Sequence, residues 1–177
     1  WDEAQIFPVE TLKKMGELGL LGVLVPEEYG GAGLGYFEYV AAIVEIAKVC
    51  GSVGLSMAAH NSLCTGHIMY FGNEEQKRKW LTKLATGEFI GCFGLTEPDY
   101  GSNPGGMVTN FKDMGDHYLL NGAKMWISNA PFADIAVVWA KNEEGRIHGL
   151  IVERGMEGFS TPETHNKWSL RASATGE

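Results

Sequence analysis

Phe93-Gly-Leu-Thr-Glu-Pro-Asp-Tyr-Gly-Ser102 divides the chain. Before it, apolar residues recur at the period of helices; after it they alternate as in strands. The stretch joins a strand-like run, Gly91 to Leu95, to a turn at Pro98 and Gly101, with Thr96 and Ser102 as its hydroxyls. A strand ending in a Gly-containing loop can offer backbone N–H groups and hydroxyls to an anionic or ring-shaped polar ligand. By spacing alone, a plain structural turn is the commoner reading.

On the N-terminal side the periodicity predicts four helices. The first is expected over Phe7 to Val25, with Pro8 near its start and Leu12, Met15 and Leu18 to Leu21 on its apolar face. Pro26 and the Gly-rich run at 27–35 stop it. The glycines at 30, 31, 33 and 35 do not meet G-x-G-x-x-G and follow no strand, so the run reads as a connecting loop. Tyr36 to Cys50 predicts an amphipathic helix with Tyr36, Val40, Ile43, Val44 and Ala47 as its buried stripe. Ser52 to Phe71 is apolar nearly all round and is expected between other helices. Asn73 and Gln76 form a capping box for a fourth helix that carries Trp80, Leu81 and Leu84 and ends at Gly87. His60, Cys64 and His67 share one face of the third helix at zinc-site spacing. No carboxylate or further Cys stands nearby, so a hydrogen-bonded core histidine is expected and no metal.

On the C-terminal side, strands are predicted at Ile90–Thr96, Met107–Lys112, Tyr118–Leu120, Lys124–Ser128, Ile135–Lys141 and Arg146–Glu153, separated by Gly- and Asn-rich turns. The fold class is therefore α+β. Residues 1–89 form an N-terminal helical domain and 90–177 an antiparallel β-domain. Trp126 and Ser128, two apart on a predicted strand, would share a face.

Composition excludes several classes. Of the 177 residues 45% are hydrophobic, enough for a core. The net charge of −8, from 22 acidic and 14 basic residues with no basic stripe, argues against nucleic-acid binding. No apolar run is long enough to span a bilayer and no secretory leader opens the chain, so no membrane role is expected. Cys50, Cys64 and Cys92, odd in number and without Cys-x-x-Cys, fit reduced thiols in a cytoplasm or an organelle matrix.

Five motifs occur in order: Val-Pro-Glu-Glu-Tyr-Gly-Gly (25–31), Phe-Gly-Asn-Glu-Glu-Gln-Lys (71–77), Leu-Thr-Glu-Pro…Gly-Ser (95–102), Leu-Asn-Gly-Ala-Lys-Met-Trp-Ile-Ser-Asn (120–129) and Lys-Trp-Ser-Leu-Arg-Ala-Ser-Ala-Thr-Gly (167–176). Together they make the chain resemble the acyl-CoA dehydrogenases over nearly its whole length. That family has N-terminal helices, a central β-domain and a C-terminal helical bundle, the last absent from this chain. It oxidises an acyl-CoA to the trans-2-enoyl thioester: a carboxylate takes the Cα proton and the Cβ hydride passes to N5 of FAD.

The resemblance implies that Phe93, Leu95, Thr96, Gly101 and Ser102 lie beside the flavin and the thioester chain. Thr96 would bond the pyrimidine edge, and Ser102 the phosphate side or the pantetheine arm of the substrate. Trp126, Ile127 and Ser128 would form the second flavin loop, the indole packing on the ring and the Ser128 hydroxyl meeting its edge. The catalytic carboxylate would come from the C-terminal bundle, so no catalytic residue is expected within 1–177 and the chain reads as a fragment of a longer enzyme. An electron-transferring flavoprotein as acceptor, a homotetramer, and a bacterial cytoplasm or mitochondrial matrix follow from the same resemblance.

Three departures are visible. Asn103 stands where the family usually has Asp. Ser128 replaces a commoner Thr and loses the methyl that restricts its rotamer. The last motif looks most like glutaryl-CoA dehydrogenase, yet the Arg-Ser pair that holds the distal carboxylate in that branch is replaced by Gly54 and Leu55. A monocarboxylic acyl-CoA, short or branched, is expected instead. Alternatives are a carrier-protein thioester dehydrogenase, a flavin oxidase, and a silent or DNA-associated scaffold.

Overall fold

The computed structural model describes residues 1–177. Helix α1 spans Val9–Glu17 and stops well short of the predicted Val25. Gly19 at φ 79° closes it: the Leu20 N–H bonds Met15 O at 2.8 Å and the Gly19 N–H bonds Gly16 O at 2.9 Å, the double bond of a Schellman cap. The apolar residues beyond it, Leu21, Val23 and Val25, are buried in an irregular segment instead. Its backbone is satisfied from outside. Val23 N–H donates to Asn61 Oδ1 (3.3 Å), Asn61 Nδ2 donates to Leu20 O (3.0 Å), and Ala32 N–H donates to Gly22 O (2.9 Å).

Helix α2 spans Tyr36–Val49, and its length agrees with expectation. Its orientation does not. Tyr39 is buried, with Ala42, Ile43, Ile46 and Cys50 packed against the same core, while Tyr36, Phe37, Val40, Val44 and Val49 face outward. Helix α3 runs over 51–71, α-helical at Gly51–Ala58 and Gly66–Phe71 with a π-helical middle at Ala59–Thr65. Its buried residues fall every four positions, at Ser52, Ser56, His60, Cys64 and Ile68, and again at Val53, Met57, Asn61 and Thr65. A regular α-helix would rotate that stripe out of the core, and the wider π turns hold it in. Helix α4, over 74–85, starts at the expected capping box: Asn73 Oδ1 accepts from the Gln76 N–H (2.8 Å) and Gln76 Oε1 from the Asn73 N–H (2.9 Å).

The strands are β1 Gly91–Gly94, β2 Asn110–Asp113, β3 Tyr118–Asn121, β4 Ile127–Ser128, β5 Ile135–Lys141, β6 Ile147–Glu153 and β7 Thr175–Gly176. β5 matches its predicted range; β1, β4 and β6 are shorter, β2 is shorter and shifted to end at Asp113, β3 runs one residue further to Asn121, and β7 was not expected. β5 is central. β6 pairs antiparallel along its length, from Ile135↔Glu153 to Lys141↔Ile147. Its other edge carries β1 in parallel register, Gly91↔Ile135, and then β2 through the single parallel pair Asn110↔Lys141. β3 adds antiparallel to β2, and β7 to β4. The helical half followed by a β half is as predicted, but the sheet is mixed. β1 reaches β5 through a 40-residue excursion that contains β2 to β4, long enough for the parallel crossover that a hairpin cannot make.

β5 is buried on both faces. Ile135, Val137 and Trp139 pack against Leu81, Leu84 and Cys64 of the helices, while Ala136 and Val138 pack against Cys92, Ile127 and Val152. This explains why Ile-Ala-Val-Val-Trp-Ala reads as a continuous apolar run. The core does not respect the change of period: Ile90 and Ala174 join Leu12, Met15, Val53 and Met57 in one cluster.

Candidate functional site

β1 ends at Gly94, and the chain then turns across the end of β4. Met125 N–H donates to Thr96 O at 2.8 Å, which brings the 95–97 and 124–128 segments side by side. A buried ion pair locks them together. Lys124 Nζ donates to Glu97 Oε1 (2.7 Å) and to Leu95 O (3.1 Å), with the two side chains 7% and 1% exposed. Glu97 also accepts from the Val108 N–H (2.7 Å) and the Thr109 N–H (3.0 Å), so a third segment joins. Burial pushes the Glu97 carboxyl up, but the bonds from Lys124, Thr109 and Val108 outweigh it and hold it at about 2. Burial pulls the Lys124 ammonium down, opposed by Glu97. With three charge-assisted donors on the carboxylate, the ion pair is the state that persists at neutral pH. A Cβ on Gly94 would come 3.2 Å from Lys124 Cγ, so the glycine leaves the lysine stem its path.

Around this lock stand the candidate residues. Leu95, Thr96 and Ser128 are partly buried; Gly101 and Ser102 are exposed. A Cβ at Gly101 would meet nothing within 4 Å. The hydroxyls of Thr96, Ser102 and Ser128 make no side-chain hydrogen bond within the chain, whereas those of Thr86 and Thr109 do. Trp126 is not on a strand, contrary to the prediction. It precedes β4 in left-handed backbone at φ 63°, with its indole 58% exposed. The two-residue alternation that would put it on one face with Ser128 therefore does not apply. A bulky side chain in that region costs about 1–2 kcal/mol, a strain found mostly where function holds it.

Two candidates point elsewhere. Phe93 packs its ring 4.7 Å from His67 and 6.1 Å from Trp139, in the seam between α3 and the sheet. Ile127 is buried with Cys92, Ala130 and Val138 and is the one candidate lining a cavity of about 640 Å³ on the far face of the sheet. The residues that sequence reading missed are Glu97 and Lys124. Lys124 carried a signal, a lone charge opening a predicted apolar strand where burial requires a partner, whereas Glu97 sits at the start of a Pro-Asp turn with nothing local to mark its burial.

His60, Cys64 and His67 do share a helix face, but their donor atoms are committed. His60 Nδ1 accepts from the Gly91 N–H (3.1 Å), which leaves the proton on Nε2 to donate to Leu84 O (3.0 Å). His67 Nδ1 bonds Leu63 O, and burial pushes the Cys64 thiol far above its usual range.

The acyl-CoA dehydrogenase N-terminal domain matches residues 1–88 and the acyl-CoA dehydrogenase middle domain residues 92–177. A short-chain specific acyl-CoA dehydrogenase of Clostridium acetobutylicum is 43% identical over 99% of this chain and 48% of its own length. The mitochondrial isovaleryl-CoA dehydrogenase of Pongo abelii is 44% identical over 95% of this chain and 41% of its own. The crystal structure of a glutaryl-CoA dehydrogenase from Mycobacterium smegmatis in complex with FADH2 superposes with a TM-score of 0.95 at 43% identity, covering 99% of this chain and 45% of that one. The chain thus spans about half the length of the curated relatives it matches. Matched in order by both domain models, and end to end by relatives of one kind, the chain belongs to the acyl-CoA dehydrogenase family, of which it holds the N-terminal and middle portions.

Proposed function

We propose that this chain supplies the FAD-binding loops of an acyl-CoA dehydrogenase acting on a short or branched monocarboxylic acyl-CoA. Residues 1–89 are its N-terminal helical domain and 90–177 its central β-domain. The observation that carries the reading is the unspent donor set: three unpaired hydroxyls and a strained, exposed indole, around loops that are otherwise locked. These groups fit a flat ring with a polar edge. When bound, FAD supplies the hydride acceptor for α,β-dehydrogenation of the thioester.

The chain's own residues bind and orient. Thr96 and Ser128 donate to the polar edge of the ring, where preformed donors favour the charge that builds on reduction. Trp126 would cover a ring face with Leu95 beside it, while Phe93, packed on His67 and Trp139, and Ile127, buried under its loop, support the two segments from behind. Gly101 leaves room for close backbone approach, and Ser102 meets the phosphate side of the cofactor or the pantetheine arm. The proton acceptor is a carboxylate outside residues 1–177. An electron-transferring flavoprotein as acceptor, a homotetramer, and a bacterial cytoplasm or mitochondrial matrix complete the proposal. None of the relatives reported above is named for carrier-protein, oxidase or DNA-associated activity.

The test is the visible spectrum of the full-length protein before and after anaerobic addition of butyryl-CoA. A yellow protein that bleaches is expected; a colourless one, or a flavin indifferent to acyl-CoA, overturns the reading. In that protein Thr96→Val is expected to slow flavin reduction and weaken FAD binding, because a ring acceptor loses its donor at about 1–3 kcal/mol. Unchanged kinetics and affinity would remove Thr96 from the site.

Substrate choice follows from α3. A Cβ on Gly54 would lie 2.8 Å from the Cβ of Ala47, so α2 and α3 touch there without room for a larger side chain, and Leu55 brings no charge. A buried distal carboxylate would find no guanidinium at these positions. Glutaryl-CoA is expected to have a far lower kcat/KM than butyryl- or isovaleryl-CoA; comparable values for all three would end this inference.

A further inference from the structure

The residue at the centre of the site, Thr96, is held on three sides by atoms of the second loop and its lock. Immediately before it, Leu95 O accepts from Lys124 Nζ (3.1 Å). Its own carbonyl accepts from the Met125 N–H (2.8 Å). Immediately after it, the Glu97 carboxylate takes Lys124 Nζ and the N–H groups of Val108 and Thr109. Lys124 and Met125 in turn lead directly into Trp126. One ammonium therefore fixes both the residue that carries the unpaired hydroxyl and the residue that carries the exposed indole.

We infer that Glu97 and Lys124 are positioning residues, which set the register between the Thr96 hydroxyl and the Trp126 indole and through it the environment of the flavin. The inference rests on the flavin reading above. Neither side chain reaches the open face of the loops, since both are buried with their polar atoms turned into the lock. Their effect on a bound ring is indirect, through hydrogen-bonded backbone that a change in either would release. Other ties between these loops are weak. Thr109 Oγ1 reaches Ala123 O at 3.4 Å, and Gly122, at φ 148°, packs on Thr109 where a Cβ would fall 2.4 Å from Oγ1.

Removing one partner strands a buried charge and can prevent folding. The informative variant is Glu97→Gln/Lys124→Met in the full-length protein, which removes both charges at similar volume. Two readouts are taken. Hydrogen exchange of the Met125 amide is measured on the FAD-stripped protein, beside the Val138 and Trp139 amides of the central strand as an internal reference. FAD affinity and the flavin absorption spectrum are measured on the loaded protein.

The Met125 amide is expected to exchange at least tenfold faster with the reference amides unchanged, and FAD to bind about tenfold more weakly with a shifted spectrum, the loss of roughly one well-placed hydrogen bond. Unchanged Met125 exchange overturns the inference. So does equal acceleration at Val138 and Trp139, which would make the pair a general stabiliser. Faster exchange at Met125 with unaltered FAD affinity and spectrum overturns the link to the flavin. If the unmodified protein binds no FAD, the functional reading fails by itself, and the positioning of Thr96 against Trp126 stands or falls on the exchange of Met125.

Discussion

Gly91→Ala is expected to lower the stability of the protein by more than about 3 kcal/mol, the upper end of overpacking in a closed core. The added Cβ would stand 2.5 Å from Cys64 Sγ and 2.7 Å from Cys64 Cβ. Neither partner can retreat. Cys64 is fully buried on the π-helical part of α3, and Gly91 is fixed by the His60 ring at its N–H and by Asn129 Nδ2 at its carbonyl, 3.4 Å away. Moving β1 away from α3 would break the His60 bond and disturb the pairing with Ile135. Urea unfolding of the single variant and of Gly91→Ala/Cys64→Ala gives the check, because removing the sulfur should return part of the loss. A midpoint unchanged by Gly91→Ala would contradict the packing of β1 on α3.

The second large effect is acid sensitivity in two steps. His60 is buried with both ring nitrogens bonded. Burial holds its folded pKa down to about 4, against 6.5 for a free imidazole, with the Leu84 carbonyl opposing. Between these values the unfolded chain binds a proton that the folded one refuses, so stability is complete above pH 6.5 and is lost as pH falls towards 4. Glu97 adds a lower window: its folded pKa of about 2, against 4.5, gives stability that is complete above pH 4.5 and lost as pH falls through 2. Each shift corresponds to roughly 3 kcal/mol. Unfolding free energy measured from pH 7.5 to 3 should fall first in the histidine window, and His60→Leu, though less stable at neutral pH, should be flat there. A wild-type curve level from pH 6.5 to 4.5 would show that His60 is not held neutral in the fold.

The sequence made some of this legible and left other parts open for physical reasons. The Asn73–Gln76 box was readable because both halves of a reciprocal bond lie within four residues. The β5 strand was readable because burial on both faces leaves an unbroken apolar run. The face of α2 was not. Ala42, Ile43 and Ile46 on one side and Tyr36, Val40 and Val44 on the other are equally apolar, so periodicity found the helix without choosing its inside. The end of α1 was signalled by Gly19, but Leu20, Leu21, Val23 and Val25 continued the apolar pattern past it, because an irregular segment can be buried where Asn61 answers its backbone. The candidate loops were found by their motifs. What ties them together was hidden, since Glu97 and Lys124 are 27 residues apart and only the fold joins them. The backbone at Trp126 was likewise misread as extended, since no glycine or asparagine stands at that position to mark a left-handed turn.

A primer or a protease that severed this chain between residues 89 and 90 would cut where the sequence changes character, but not where the interior ends. Ile90 and Ala174 would be pulled from among Leu12, Met15 and Met57, and Ile135 and Val137 from against Leu81 and Leu84. Each piece would expose half of a core. The two halves thus share one interior, and neither can bury its apolar residues without the other.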